Sequence, residues 1–217
     1  MYNFTFNIPT KIHFGKDTIS SLSELKAYGS KVLLVYGGGS IKKNGLYDTA
    51  MKILKDAGLT VFELSGVEPN PKIETVRKGV EICKNEGIDM VLAIGGGSTI
   101  DCSKVVAAGT RYDGDVWDLV LDGSKVKAAL PIFDVLTLSA TGTEMDPFAV
   151  ISDMSKNEKW GTGSPYMVPT MSILNPEYTF SVSKKKTAAG TADMMSHTME
   201  NYFSMENADC QKFMAEG

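Results

Sequence analysis

The sequence has few of the features that mark secreted or membrane proteins. Its three cysteines, Cys83, Cys102 and Cys210, lack CxxC spacing, which argues against a disulfide framework and a cysteine-based metal site. We expect all of them to be inert, reduced thiols that are partly buried on helices. No apolar run approaches the roughly 20 residues that span a bilayer, and the N-terminus lacks a charged segment followed by an apolar one. The expected protein is therefore cytoplasmic, without a membrane partner.

The chain also lacks an excess of positively charged residues. The 22 Lys and Arg residues are outnumbered by 26 Asp and Glu residues, so the formal net charge is −4. This balance argues against a surface that follows nucleic-acid phosphates. With 43% hydrophobic and 22% charged residues, the chain can bury the core of one or two domains. We therefore expect a small-molecule partner and no nucleic acid.

The chain does contain a regular alternation of amphipathic helices and apolar, β-rich runs. Apolar residues at helical spacing fill 46–57, Gly58 stops them, and a strand is predicted at 60–64. Further strands are predicted at 11–14, 31–36, 90–94 and 131–136. This alternation predicts right-handed βαβ crossovers and an α/β, Rossmann-like parallel sheet with helices on both faces.

Two glycine-rich turns each follow a predicted strand. Their residues are Gly37, Gly38, Gly39 and Ser40 in the first turn and Gly95, Gly96, Gly97 and Ser98 in the second. Glycines let a backbone approach a phosphate, and free N–H groups at a helix N-terminus bind one. Ligands of parallel sheets lie beyond the carboxyl ends of the strands, so we expect a nucleotide at these turns. A tight connection without a ligand remains the alternative for each turn.

Polar residues near these turns allow more than one role. Asp101 lies three residues after Ser98 in a pattern similar to a capping box, so we expect it to support the turn or to meet a ribose or nicotinamide. The hydroxyls of Thr137 and Thr141 suit either ligand contacts or helix caps. Lys159, beyond a predicted hairpin around 152–157, is on its own typical of a solvated charge.

A carboxylate and an imidazole are paired near the end of the chain. Asp193 and His197 are four residues apart in a segment after Thr187 that has no proline and is predicted to be a mostly buried helix. The spacing places both side chains on one face, where they can reach one divalent metal at about 2.0–2.2 Å. A hydrogen bond that merely holds the helix is the alternative.

Several motifs together resemble the iron-dependent (group III) alcohol dehydrogenases, most closely the butanol dehydrogenase and broad-range aldehyde reductase branch. The motifs are 9–16, 36–40, Glu68-Pro69-Asn70-Pro71, 95–98 with Asp101, and 140–144. The resemblance implies that Asp193 and His197 are metal ligands. It also implies cofactor contacts from Gly37, Gly38, Ser40, Gly95, Gly96, Gly97, Ser98, Asp101, Thr137, Leu138, Thr141, Asp146, Lys159 and Leu174. Among these, Asp146 is assigned to the nicotinamide end and Lys159 to a ribose hydroxyl.

The same resemblance implies hydride transfer between a nicotinamide and a small aliphatic aldehyde or alcohol. A metal would hold the reacting oxygen, so no catalytic side chain is assigned. Fe²⁺ is the implied ion, and Zn²⁺, Co²⁺ or Mn²⁺ also suit mixed N and O ligands. The turn at 36–40 has no acid to repel a 2′-phosphate, and Lys42 and Lys43 follow it, which favours NADP while leaving NAD open.

The resemblance divides the chain into a dinucleotide-binding α/β domain, 1–180, and the beginning of a helical metal-binding domain, 181–217. Two further histidine ligands of the family have no counterpart here, so we expect a shortened chain that binds metal weakly and exposes the methionine-rich face of the helix after Thr187. Both an active enzyme and an inactive one remain open at this length. A glycerol-dehydrogenase-like or dehydroquinate-synthase-like enzyme is one alternative, and a non-catalytic dinucleotide-binding fragment is another.

The N-terminus predicts an interface. Tyr2, Phe4, Phe6 and Ile8 alternate with polar residues, so a strand there would have one apolar face that needs a partner. The resemblance implies a homodimer in which these strands meet.

Overall fold

The computed structural model of the protein describes residues 7–203 and 209–216. The strands are β1 (Lys11–Phe14), β2 (Lys31–Tyr36), β3 (Thr60–Leu64), β4 (Met90–Gly95), β5 (Ile132–Leu136), β6 (Phe148–Asp153), β7 (Glu158–Gly163) and β8 (Met171–Leu174). The α-helices are α1 (Ser40–Lys43), α2 (Leu46–Asp56), α3 (Ile73–Glu86), α4 (Gly97–Thr110), α5 (Trp117–Leu121), α6 (Lys184–Phe203) and α7 (Asp209–Glu216). Four 3-10 helices complete the elements, at Thr18–Tyr28, Gly123–Lys125, Pro165–Met167 and Pro176–Thr179.

Six strands form one parallel sheet in the order β1-β8-β5-β4-β2-β3. The predicted parallel α/β sheet is therefore confirmed. The hairpin predicted around 152–157 is also present, as the antiparallel pair β6 and β7. Asn157 in its turn has a φ of 55°, a left-handed conformation that asparagine tolerates better than most residues.

The sheet is buried on both faces, because alternate residues of its central strands enter two different apolar clusters. Leu33 and Val91 belong to one cluster, with side chains from α3 and α4. Leu34 and Leu92 belong to the other, with side chains from α2 and the 3-10 helix at Thr18–Tyr28. Burying one such side chain stabilises the fold by about 1.5–3 kcal/mol. Both clusters thus hold the carboxyl ends of the central strands in a fixed arrangement.

The glycine stops in the sequence locate helix ends correctly. The helix α3 ends at Gly87, whose φ of 62° is the left-handed conformation that commonly terminates a helix. Gly58, with a φ of 74°, follows α2 in the same way. The helix α6 begins at Lys184 rather than near Thr187, and its first turn uses Ser183, whose Oγ accepts from the N–H of Lys186 at 3.4 Å.

The burial of α6 predicted from its apolar residues is absent, whereas the exposed methionine-rich face that was expected for the shortened chain is present. Gly190 is its one buried residue among those the structure describes, and the methionines and phenylalanine of its apolar side are exposed: Met194, Met195, Met199 and Phe203. Apolar residues at helical spacing determine a face that can be covered, but they do not supply the element that covers it.

The structure tests the predictions for the cysteines in part and leaves most of the N-terminal segment outside the described residues. Cys83 and Cys102 are free and buried, as predicted, and burial raises the pKa of the Cys83 thiol to about 11. The side chain of Cys210 lies outside the described set, as do residues 1–6 of the predicted N-terminal strand, while Ile8 is exposed. None of the helices within 7–203 and 209–216 has the length and apolar character needed to cross a membrane.

Candidate functional site

Both glycine-rich turns line one cleft of about 510 Å³ at the carboxyl ends of β2 and β4. The lining includes Gly37, Gly38, Ser40, Gly95, Gly96, Gly97, Ser98, Thr137 and Leu138. Strand order explains the convergence, because β2 and β4 are neighbours and their carboxyl ends face the same side of a parallel sheet. Each turn thus lies at the carboxyl end of its strand, as expected, and the strand order brings the two turns together.

The first turn is tied to the loop that follows β3. The Gly37 carbonyl accepts from the N–H of Gly66 at 3.1 Å, and the Tyr36 carbonyl accepts from the N–H of Val67 at 3.2 Å. Gly39 then adopts a φ of 95°, which side-chain-bearing residues rarely adopt, before α1 begins at Ser40. These contacts hold the backbone of the turn open toward the cleft.

The second turn is packed closely against the segment after β5. A Cβ on Gly96 would come within 3.2 Å of Leu138 Cβ, and one on Gly97 within 3.0 Å of Thr141 Oγ1. The helix α4, which the structure describes throughout, begins here and has no acidic residue in its first turn. The first N–H groups of a helix have no intrahelical acceptors and carry partial positive charge. This end of the cleft therefore suits an anion such as a pyrophosphate.

Asp101 does not form the expected capping box. Ser98 lies inside the first turn of α4, whose N-cap is Gly96, and the Asp101 carboxylate accepts from Thr143 Oγ1 at 2.7 Å and from the N–H of Val150 at 3.0 Å. Burial raises the pKa of this carboxyl, against the opposing effect of these hydrogen bonds. Asp101 therefore fastens α4 to β6 and to the segment before it, and the capping prediction is wrong.

Lys104 is the centre of a buried network that the sequence did not predict. Its side chain is fully buried, and its Nζ lies 2.8 Å from four oxygens. These are Thr143 Oγ1, the Asp146 carbonyl, Asp146 Oδ1 and the Phe148 carbonyl. The sequence signal was a single lysine before the apolar run 105–108 of α4.

Asp146, which the resemblance assigns to the nicotinamide end, is held by the protein through one of its carboxylate oxygens. Its Oδ1 accepts from Lys104 Nζ and from the N–H of Phe148, both at 2.8 Å. Its side chain is 33% exposed, so part of the carboxylate still faces solvent. In this structure Asp146 fixes the loop after β5 against α4, and any contact with a nicotinamide would use its remaining surface.

Lys159 is not an isolated surface charge. Its Nζ donates to Asn70 Oδ1 at 2.8 Å, and the N–H of Asn70 donates to Ser98 Oγ at 3.3 Å. The structure thus brings Lys159 from β7 to the second glycine turn. Asn70 had no predicted role, although the Glu68-Pro69-Asn70-Pro71 motif contained it.

Two predicted contacts lie in different surroundings. Leu138 lines the main cleft, whereas Leu174 lines a smaller cavity of about 260 Å³ together with Leu136 and Glu144. Thr141 is exposed beside Gly97.

The main cleft also has lining residues that sequence reasoning missed: Tyr178, Ser181, Ser183 and Lys186. The run of lysines at 184–186 was the available signal for a basic residue there.

The Asp193 and His197 pair has the predicted helical spacing. His197 Nε2 lies 3.9 Å from Asp193 Oδ1, and the two side chains are 49% and 43% exposed. The i, i+4 spacing keeps both side chains on one face of α6. Within the part of the chain that the structure describes, no group of three or more His, Cys, Asp or Glu residues converges on a possible metal position. The pair therefore offers two ligands and does not complete a metal centre.

Asp134 supports the same loop from inside the sheet. Ser172 Oγ lies 2.6 Å from Asp134 Oδ2 and 2.7 Å from the Glu144 carbonyl, and Asp134 is fully buried. A serine hydroxyl has one proton and a carbonyl can only accept. Both contacts are satisfied when a protonated Asp134 donates to Ser172 and Ser172 donates to Glu144. Burial raises the pKa of Asp134 well above its usual range, which agrees with this assignment.

The protonated Asp134 predicts a pH-dependent stability that Asp134→Asn removes. The unfolded carboxyl, with a pKa of about 3.9, releases a proton that the folded protein retains. The contribution of Asp134 to stability is thus fully present below about pH 4 and is lost as pH rises toward the folded pKa. Relative to wild type, Asp134→Asn should gain unfolding free energy as the pH rises from about 5 toward the folded pKa of Asp134. Urea unfolding at several pH values measures this difference, and parallel curves would contradict the assignment.

Comparison with known proteins gives a consistent result. The sequence profile of the family described as iron-containing alcohol dehydrogenase matches residues 9–176. The chain is 60% identical over 218 aligned positions to NADH-dependent butanol dehydrogenase A of Clostridium acetobutylicum, covering 100% of this chain and 56% of that protein. It is 38% identical to the NADPH-dependent aldehyde reductase YqhD of Escherichia coli, covering 100% of this chain and 57% of that protein.

A solved structure is similar over the whole chain. The crystal structure of NADH-dependent butanol dehydrogenase A from Thermotoga maritima superimposes with a TM-score of 0.96 at 46% identity. The match covers 100% of this chain and 55% of that protein. The chain thus spans about half the length of the relatives that it matches.

Proposed function

This chain belongs to the iron-containing alcohol dehydrogenase family, and from its site we propose that it provides the dinucleotide-binding part of an NAD(P)H-dependent alcohol dehydrogenase or aldehyde reductase. The proposed substrates are small aliphatic aldehydes and alcohols. The observation that carries the proposal is the convergence of two glycine turns and the N-terminus of α4 on one cleft. The names of the relatives, butanol dehydrogenase and aldehyde reductase, support the substrate class.

The dinucleotide has a proposed place along the cleft. The pyrophosphate lies against 95–98, where the backbone comes close and α4 begins. The adenine ribose lies toward Gly37, Gly38 and Ser40. Thr137, Leu138 and Thr141 contact the cofactor beyond the pyrophosphate, and Lys159 reaches a ribose hydroxyl from its position beside Ser98. Either NADH or NADPH is proposed, since the relatives carry both names.

A divalent ion is proposed at Asp193 and His197, with Fe²⁺ first and Zn²⁺, Co²⁺ or Mn²⁺ also suited to mixed N and O ligands. When bound, the nicotinamide supplies the hydride and the ion polarises the carbonyl oxygen of the substrate. The residues of this chain hold and orient the cofactor: the glycine turns bind its phosphates, and the Lys104 network keeps the loop after β5 in place.

The second candidate function is dinucleotide binding without turnover. It is favoured by one observation: the described residues provide two metal ligands and do not complete a centre. The glycerol-dehydrogenase-like and dehydroquinate-synthase-like alternatives have no comparable observation in their favour.

One experiment separates the two candidates. Aldehyde-dependent oxidation of NADH and NADPH by this polypeptide is measured anaerobically with added Fe²⁺ or Zn²⁺ and with a chelated control, while dinucleotide binding is measured in parallel by calorimetry. Metal-dependent oxidation supports the dehydrogenase, with further ligands from water or another chain. Binding without oxidation supports the second candidate. No binding of either dinucleotide would overturn both.

The metal pair can be tested without activity. We expect Co²⁺ titration to give an absorption spectrum with weak affinity, because two protein ligands hold an ion poorly. His197→Ala should lower that affinity at least tenfold, about 1.4 kcal/mol, and Asp193→Asn should do the same. His13→Ala is the matched control, since His13 is the other histidine of the chain and lies on β1. Equal losses in all three variants would contradict the assignment.

We also propose a cytoplasmic homodimer that forms through the N-terminal segment containing Tyr2, Phe4, Phe6 and Ile8. Its support is the alternation of apolar and polar residues in that segment. The mass in solution of a variant lacking residues 1–9 tests this proposal, and an unchanged mass would contradict it.

A further inference from the structure

A charged cluster lies beside the first glycine turn, formed by Glu63, Tyr36, Tyr47 and Lys42. Glu63 Oε2 accepts from the Tyr36 hydroxyl at 2.5 Å, and Glu63 Oε1 accepts from the Tyr47 hydroxyl at 2.6 Å. Lys42 Nζ lies 3.8 Å from Glu63 Oε2 and sits over both tyrosine rings, 5.0 and 4.4 Å from their centroids. Each oxygen of the carboxylate thus has its own hydroxyl donor, and the ammonium is held next to them.

The Glu63 cluster lies where an acid would be close to the adenine ribose of a bound dinucleotide. Glu63 lies near the carboxyl end of β3, which pairs with β2 in parallel. In dinucleotide-binding α/β folds, an acid at the end of the second strand accepts from the 2′-hydroxyl of the adenine ribose. The sequence interpretation looked for that acid within 36–40 and found none. The structure places one on the neighbouring strand instead.

Glu63 is ionised but already engaged. Partial burial raises the pKa of Glu63, yet the hydrogen bonds from Tyr36 and Tyr47 and the nearby Lys42 outweigh it, so the net pKa lies below the usual value. The hydrogen bond to Glu63, with burial, raises the pKa of Tyr47 to about 12. At neutral pH the cluster therefore holds the negative carboxylate of Glu63 and the positive ammonium of Lys42 next to each other.

Lys42 does not line the cleft, although residues close to it in the chain do. Ser40 and Asn44, on either side of it, line the cleft, whereas the Lys42 ammonium lies on the tyrosine rings and near Glu63. The sequence interpretation counted Lys42 as favourable charge for a 2′-phosphate. The structure pairs this charge with a carboxylate of opposite sign.

We propose that Glu63 is a specificity-determining residue for the cofactor. It holds Lys42 beside the first glycine turn and offsets the positive charge of Lys42. The lysine therefore does not strengthen binding of the 2′-phosphate of NADPH relative to the 2′-hydroxyl of NADH. This proposal rests on the dinucleotide site described under the proposed function. Glu63 acts here through Lys42 and is a positioning residue.

The test compares two ligands that differ by one phosphate, ADP-ribose and 2′-phospho-ADP-ribose, with calorimetric dissociation constants. In Glu63→Gln, Lys42 keeps its charge without a counter-charge. We expect the phosphorylated ligand to bind about fivefold to tenfold more tightly, and ADP-ribose to change less than about twofold. The gain should shrink as salt is raised, because the interaction is electrostatic and partly exposed.

Two further variants make the result specific. Adding Lys42→Gln to Glu63→Gln should abolish the gain, and Glu81→Gln, which removes an exposed acid on α3, should leave both affinities unchanged. In Glu63→Gln the pKa of Tyr47 should fall from about 12 toward 10, which ultraviolet titration measures and which verifies that the cluster exists in solution.

The outcomes are distinguishable. Equal changes for both ligands, no change for either, or a gain that persists without Lys42 would overturn the role of Glu63 while leaving the dinucleotide site intact. Absence of binding by both ligands to the wild-type chain would overturn the site and the inference together.

Discussion

Lys104→Met should cost about 3–5 kcal/mol of unfolding free energy, the largest loss that we expect from one exchange in this chain. The wild-type ammonium is fully buried and lies 2.8 Å from four oxygens. Methionine has a similar length but no donor, so it leaves two carbonyls, a hydroxyl and the Asp146 carboxylate without this partner. An unsatisfied buried acceptor costs more than the hydrogen bond itself contributes.

Urea unfolding measures this prediction against a matched exchange. Lys78→Met is the control, because Lys78 lies exposed on α3 and its replacement should change stability by less than about 0.5 kcal/mol. Asp146→Asn added to Lys104→Met should recover part of the loss, since it removes the uncompensated carboxylate. A Lys104→Met protein that unfolds at the wild-type urea concentration would show that the buried network contributes little.

Gly38→Val should weaken dinucleotide binding about 100-fold, roughly 2.8 kcal/mol, while leaving the fold stable. Gly38 lines the cleft, and a Cβ placed on it meets no protein atom within 4 Å. Its φ lies outside the left-handed region in which glycine is required. The added carbons therefore occupy space where the proposed cofactor lies and cause no clash with the protein.

A second glycine exchange shows whether the loss is local. Gly161 lies exposed on β7, and a Cβ there would make ordinary contact, 4.0 Å from Val150 Cγ2. Gly161→Val should therefore leave dinucleotide affinity unchanged. Calorimetry with NADH and NADPH measures the affinities, and circular dichroism follows the fold. Wild-type affinity in Gly38→Val would place the cofactor elsewhere.

Whether the sequence could predict a feature of the site depends on how far apart in the chain the residues that form it lie. Glycine turns and the i, i+4 spacing of Asp193 and His197 are local patterns, so the sequence predicted where they would occur. The Lys159 contact joins residues 89 apart, and the Lys104 contacts join residues 39 to 44 apart. No periodicity reports such contacts, because they depend on which elements become neighbours.

Two errors have the same origin. Asp101 was given a capping role from its distance to Ser98, but packing turns its carboxylate to Thr143 and Val150 on other elements. The apolar spacing of α6 by itself predicted a buried Met-rich side, but an apolar face is buried only when another element lies against it, and among the described residues this side is exposed.

The sequence by itself determined the alternation of strands and helices, the glycine stops and the two turns that follow strands, because each depends on the conformational preferences of neighbouring residues. Only the tertiary structure decided that both turns share one cleft, that Lys104 and Asp146 are joined inside the protein, and that Glu63 from another strand offsets the charge of Lys42. These arrangements require residues from separate elements to meet, and packing of the parallel sheet determines where they do.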